Sequence, residues 1–232
     1  MKLSRKLAVK INFFLDQCIP PIVRDSKWFV IIPLKILFKD KAHIFMEFKS
    51  KAFEMTEIEF SEMYKEIEPV LLGERTDLNN ACINEILNNI FGHSVLEVGC
   101  GKCFLAEKIS ERHQVTATDI VIDPQLINKY PNIYFKTANI EKMPFKDKEF
   151  DTVVCTHTLE HVRNIFQALK ELRRVTKKRL IIVVPKQRPY YFTFNLHLHF
   201  FPYKHSLLAI MGNKNNSCKE IDGDFFYIED YK

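Results

Sequence analysis

The sequence lacks an apolar run long enough to cross a bilayer. Its most apolar stretch, residues 28–38, is 11 residues long and contains Pro33 and Lys35, whereas a spanning helix needs about 20. It lacks a disulfide framework, because six cysteines stand at no regular spacing, and that usage fits a reducing compartment. It lacks a convincing secretory leader. The start is basic, but Lys10 interrupts the apolar stretch, and Asp16 and Gln17 stand where a cleavage site needs small residues. Together these absences predict a cytoplasmic protein. No internal repeat or low-complexity tract is present. The 232 residues suffice for one large domain, or a domain plus an appendage, with a sizeable core. The net charge of +5 is uneven: residues 1–53 carry 11 Lys/Arg against 4 Asp/Glu. An anionic partner is therefore expected at the N-terminal segment.

Residues 94–110 organise the rest. Val95, Leu96 and Val98 form the short apolar run of a buried parallel strand. Gly99 and Gly101, without a Cβ, let the chain turn and approach a ligand. Phe104, Leu105 and Ile109 then recur at helical spacing. Strand, glycine turn and helix present free N–H groups to a ligand. Asp119, twenty residues after Gly99, ends a second strand where a carboxylate accepts bonds from a ribose diol. A nucleoside-containing cofactor follows. The third glycine of the dinucleotide fingerprint is replaced by the bulky Phe104, which disfavours a pyrophosphate loop.

Cys100 and Cys103 form a C-x-x-C at this turn, the look of a thioredoxin-like redox site. That reading gives Asp119 no role, so small packing residues are the preferred interpretation. Zinc is disfavoured because no second Cys/His pair stands at ligand spacing.

Strands over 94–98, 114–118, 132–136, 150–155 and 180–184 alternate with helical patterns. One helix runs from Asp77 through Ile83, Ile86, Leu87 and Ile90 to Gly92. A later one carries Val162, Ile165, Phe166, Leu169, Leu172 and Val175 on one face. The expected fold is α/β, a Rossmann-like, doubly wound, mostly parallel sheet. Asp222-Gly223 predicts a tight hairpin near the end. Residues 1–75 are expected to form a helical N-terminal appendage and residues 76–232 the cofactor domain. In the appendage, Thr56 and Glu59 form a capping box, and Phe60, Met63, Tyr64 and Ile67 follow until Pro69 stops the helix. Two readings of the appendage stay open. One is a lid on the cofactor domain. The other is an interfacial contact with an anionic membrane, inserting Trp28, Phe29 and Phe38 beside Lys27, Lys35 and Lys39.

Four blocks, followed by Leu169–Val175 as the helix before the fifth strand, resemble the class I S-adenosylmethionine-dependent methyltransferases in their type 11 branch, a resemblance covering roughly residues 76–228. The first is Glu97-x-Gly99-x-Gly101, with Cys103 where that family often has a third glycine. The second is Thr118-Asp119-Ile120. The third runs from Ala138 to Phe145, with Asn139 where an Asp usually contacts the adenine amino group. An amide oxygen there still accepts a bond, though an uncharged one. The fourth runs from Phe150 to Val162. The resemblance implies S-adenosylmethionine as cofactor, held by Glu97, Gly99, Cys100, Gly101, Asp119, Ile120, Asn139, Ile140 and Thr156. It also implies that the end of the fourth strand lies beside the methyl group, making His161 and then His157 the candidate catalytic bases for a hydroxyl acceptor.

The expected activity is methyl transfer to a small-molecule or lipid- or glycan-linked acceptor. Arg188, Tyr190, Tyr191 and Tyr203 are candidate acceptor contacts or packing residues. His197 and His199 would share one side of a strand, but no carboxylate cluster accompanies them and no metal is expected. A nucleic-acid methyltransferase would suit the basic N-terminus. The Asn/Asp-Pro-Pro-Tyr block of amino-methylating enzymes and any RNA module are missing, however. A non-catalytic adapter would have no need of so complete a site.

Overall fold

A computed structural model describes residues 14–15, 18–71, 75–192, 195–212 and 216–231. The chain divides into two compact units. One comprises residues up to 74 together with 188–198, and the other comprises 75–187 and 199–232.

The first unit is helical: α1 (Pro21–Arg24), α2 (Lys27–Phe38), a 3-10 turn (Lys39–Lys41), α3 (Ala42–Lys51) and α4 (Glu57–Leu71). Val30 and Leu34 of α2, Phe45 and Phe48 of α3, and Phe60, Met63 and Ile67 of α4 are buried. The capping box forms at Thr56: the Glu59 N–H donates to its hydroxyl (3.3 Å) and its own N–H donates to the Glu59 carboxylate (2.8 Å). Pro69 does not stop α4, whose backbone stays helical to Leu71. Tyr190 also belongs to this unit. Its ring lies under the Arg24 guanidinium at 4.5 Å and its carbonyl accepts from Lys49. Burial pushes the Lys49 ammonium down to about 8.

In the second unit, α5 (Asn80–Asn89) leads into β1 (Ser94–Val98), α6 (Phe104–Ser110), β2 (Gln114–Asp119), α7 (Pro124–Lys129) and β3 (Ile133–Thr137). There follow β4 (Phe150–Thr156), α8 (Ile165–Val175), β5 (Thr176–Pro185), α9 (Lys204–Met211), β6 (Asn216–Ile221) and β7 (Asp224–Asp230). The seven strands lie in the order β3-β2-β1-β4-β5-β7-β6, and only the pairings of β7 are antiparallel. The expected mostly parallel sheet is present. Alternate residues of β1, β4, β5 and β7 feed two cores, one per face, such as Leu96 and Val153 on one and Val95 and Val154 on the other. Asp222 and Gly223 take φ of 45° and 86°, the left-handed pair that a tight hairpin requires.

Several details differ from the sequence reading. The helix expected from Asp77 begins at Asn80, because the Asn79 side-chain oxygen caps it by accepting from the Cys82 N–H (2.7 Å). Val162 precedes α8, and Phe166 is 67 % exposed, off the buried stripe. Strand order reverses between β1 and β4, so the carboxyl ends of those strands open a crevice suited to a ligand.

Candidate functional site

The crevice is built from the loop after β1. Gly99, Gly101 and Cys103 take φ of 76°, 48° and 60°, three alternate left-handed positions, a conformation that costs a residue with an ordinary Cβ about 1–2 kcal/mol. Cys103 therefore sits in glycine's conformation, and it starts α6. The Gly99 and Cys100 N–H groups donate to the Thr118 carbonyl (2.8 and 3.1 Å), tying the loop to the end of β2. Asp119 closes the tie. One carboxylate oxygen accepts from the Gly101 N–H (2.9 Å) and the other from the Ile120 N–H (2.7 Å) and the Val121 N–H (3.5 Å). Burial pushes the Asp119 carboxyl up, and these N–H donors pull it part of the way back.

The two glycines do different work. A Cβ on Gly99 would stand 1.9 Å from the Thr158 hydroxyl, so this glycine makes room for a neighbouring turn. A Cβ on Gly101 would meet no atom within 4 Å. The open side of the loop therefore lies at Gly101, flanked by the Asp119 carboxylate.

Glu97 lies beneath the loop. It is 2 % exposed and accepts from the Ala106 N–H, and burial raises its carboxyl well above the usual carboxylate range. It shapes the start of α6 rather than facing the open side. The Cys100 thiol is pushed well up by its bond to Cys103 and by burial, and both cysteines are buried. Cys100 is therefore held as the unreactive thiol.

After β3, the Ala138 N–H donates to the Asp119 carbonyl (2.9 Å), which brings Asn139 to the same edge. The Asn139 side-chain oxygen accepts from the Glu141 N–H (2.9 Å), and half-buried Ile140 packs on the core. Thr156 ends β4, buried, with its carbonyl accepting from the Thr158 hydroxyl (2.9 Å). His161 closes the next turn by donating its N–H to the Thr158 carbonyl (3.0 Å). It is half-buried and close enough to Asp119 to act on it electrostatically.

His157 is placed differently. Its ring stands between two buried carboxylates, with Nδ1 3.6 Å from Glu160 and Nε2 3.5 Å from Asp224. Burial opposes its charge, but the ion pairs with Asp224 and Glu160 prevail and raise its pKa to about 10. It is an imidazolium at neutral pH and lacks the lone pair a base needs. His197 and His199 lie on irregular chain and not on a strand. The His199 ring is bonded to the Val162 carbonyl (2.9 Å), and burial keeps it neutral. Tyr191 and Tyr203 are exposed. Sequence reasoning missed Thr158, Glu160 and Asp224. Glu160 carried the only readable signal, an acid three residues from a histidine.

Over residues 96–184 the chain matches the family model described as a methyltransferase domain. It is 27 % identical over 113 residues to a ubiquinone biosynthesis O-methyltransferase of Glaesserella parasuis, covering 44 % of this chain and 48 % of that protein. It is 31 % identical over 87 residues to a demethylmenaquinone methyltransferase of Chlorobaculum parvum, covering 36 % of each. The matches span less than half the length of these curated relatives. Among solved structures, the 1,6-didemethyltoxoflavin-N1-methyltransferase of Burkholderia thailandensis, with 1,6-didemethyltoxoflavin and S-adenosylhomocysteine bound, superposes with a TM-score of 0.59. The identity is 17 %, covering 78 % of this chain and 88 % of that one. At that identity the likeness is one of fold.

Proposed function

We propose that the chain, whose residues 96–184 match the methyltransferase-domain model, is a class I S-adenosylmethionine-dependent methyltransferase of the type 11 branch and moves a methyl group from S-adenosylmethionine to a small-molecule or lipid- or glycan-linked acceptor. The observation that carries this reading is the open side of the loop at Gly101 with the Asp119 carboxylate beside it. A carboxylate offers about four lone-pair sites. The Gly101, Ile120 and Val121 N–H groups occupy three of them, leaving capacity for a ribose hydroxyl. When bound, the cofactor supplies a sulfonium methyl already activated for displacement. The chain's share is alignment and exclusion of water. His161 stands on the same rim and takes the proton of a hydroxyl acceptor. Asn139 and Ile120 flank the adenine position.

The names of the two curated relatives, which concern ubiquinone and menaquinone, favour a small molecule over RNA. Incubating the protein with methyl-labelled S-adenosylmethionine and a cell extract tests the reading. Label should enter the organic-soluble fraction. Label confined to RNA would replace the acceptor class, and cofactor binding without any transfer would indicate an adapter.

The second part of the proposal is peripheral contact with an anionic membrane through residues 1–53. Trp28, Ile32 and Ile36 of α2 are 66 %, 59 % and 72 % exposed at i, i+4 and i+8, opposite buried Val30 and Leu34. Lys27, Lys35 and Lys39 are exposed beside them, so an apolar stripe is edged by cations as an interfacial helix requires. Among the described residues no helix is long and apolar enough to cross a membrane. The protein should sediment with phosphatidylserine vesicles at low salt and release as salt rises. A Trp28→Ser, Ile32→Ser, Ile36→Ser variant that sediments equally well would remove this part of the proposal.

A further inference from the structure

The turn after β4 is gripped by a buried charge cluster that the proposed chemistry does not use. His157 enters it at φ 47° with its N–H donating to the Val183 carbonyl of β5 (2.9 Å). Its ring then reaches Glu160, three residues on in the same turn, and Asp224, the first residue of β7. Asp224 accepts in addition from the Asn79 amide (2.8 Å), and Asn79 caps α5. One cation thus joins three elements far apart in sequence.

Between His157 and Glu160 stands Thr158. Its hydroxyl occupies the space a Cβ on Gly99 would take, with both Thr158 Cβ and Cγ2 2.9 Å from that point. Close-packed contacts leave no slack, so a displacement of the turn passes directly to the glycine loop.

We propose that His157 is a positioning residue: its bridge between Glu160 and Asp224 fixes Thr158 against Gly99 and so holds the glycine loop in the shape that receives the cofactor. The inference rests on the cofactor reading given above. Its charge state fits, because the two carboxylates keep the imidazole protonated at neutral pH. Without that cation two carboxylates would share one buried space, which neither tolerates.

The test uses Asp224→Asn, which conserves volume and keeps an acceptor for Asn79, with Glu160→Gln as a second variant. Glu229→Gln serves as the control. It weakens another buried ion pair, with Arg173, at the opposite end of the same strand. Thermal melts measure stability, and calorimetric titration with S-adenosylhomocysteine, at a temperature where circular dichroism shows each variant folded, measures affinity. Asp224→Asn or Glu160→Gln should weaken binding by about fivefold or more, while Glu229→Gln loses comparable stability and binds as wild type does. Wild-type affinity in both bridge variants overturns the proposal. So does an affinity loss that tracks melting temperature equally in all three. A wild-type protein that fails to bind overturns the cofactor reading itself, and the role of the bridge with it.

Discussion

Replacing Gly99 by alanine should cost more stability than any other single-methyl addition in the loop. The added Cβ would sit 1.9 Å from the Thr158 hydroxyl oxygen, and φ at this position is 76°. Left-handed backbone costs alanine about 1–2 kcal/mol, and overpacking adds about 1–3 kcal/mol. Rotating Thr158 brings no relief, since its Cγ2 and Cβ are both 2.9 Å from the same point. A total of about 2–5 kcal/mol corresponds to a melting-temperature loss of roughly 5–15 °C for a chain of this size. Gly101→Ala makes the comparison, because its φ is 48° and its Cβ meets nothing. It should lose only the strain of about 1–2 kcal/mol, yet impair cofactor binding more. Thr158→Ala in the Gly99→Ala background should recover part of the stability, and only part, because its Cβ remains. Far-UV circular dichroism melts of the four proteins decide the matter. A Gly99→Ala variant melting within about 2 °C of wild type would refute the packing argument.

His161→Ala should leave cofactor affinity nearly unchanged and lower turnover on a hydroxyl acceptor by about 10²–10⁴. Unchanged turnover would leave this histidine a structural role. Stability should depend on pH through His157. The native ring keeps its proton up to about 10, whereas the unfolded one loses it near a pKa of about 6.5. Between those values the native state binds more protons, so stability falls as pH rises. Urea unfolding from pH 6 to 10 should show this decline, and His157→Gln should flatten it.

Much of this architecture was legible because short apolar runs and glycine turns report local structure. Each of the five expected strands lies within or almost within an observed one. The helix α7 escaped because it buries no residue and so carries no apolar stripe. The helix α9 escaped because it buries only Leu207 and Met211 in a single pair of turns. Pro69 was read as a stop, yet the α4 backbone runs on to Leu71. At the site, Gly99, Gly101 and Asp119 were readable from spacing alone. The division of labour between the two glycines was not, since it depends on Thr158, which reaches Gly99 only when β1 and β4 pair. The role of His157 was hidden for the same reason. Asp224 lies beyond two further strands and arrives only when the β6–β7 hairpin docks on β5. Spacing can place an imidazole at the end of a strand, but its charge is decided by neighbours from distant sequence.

The central claim is that the loop at Gly101 and the Asp119 carboxylate hold S-adenosylmethionine, and calorimetric titration of the wild type and of Asp119→Ala tests it most directly. Charge-assisted bonds to the ribose hydroxyls contribute about 1.5–3 kcal/mol each. The account predicts that the wild type binds S-adenosylmethionine with one-to-one stoichiometry and that Asp119→Ala weakens it at least about tenfold. Binding of NAD in place of S-adenosylmethionine, or equal affinity in the two proteins, would contradict it.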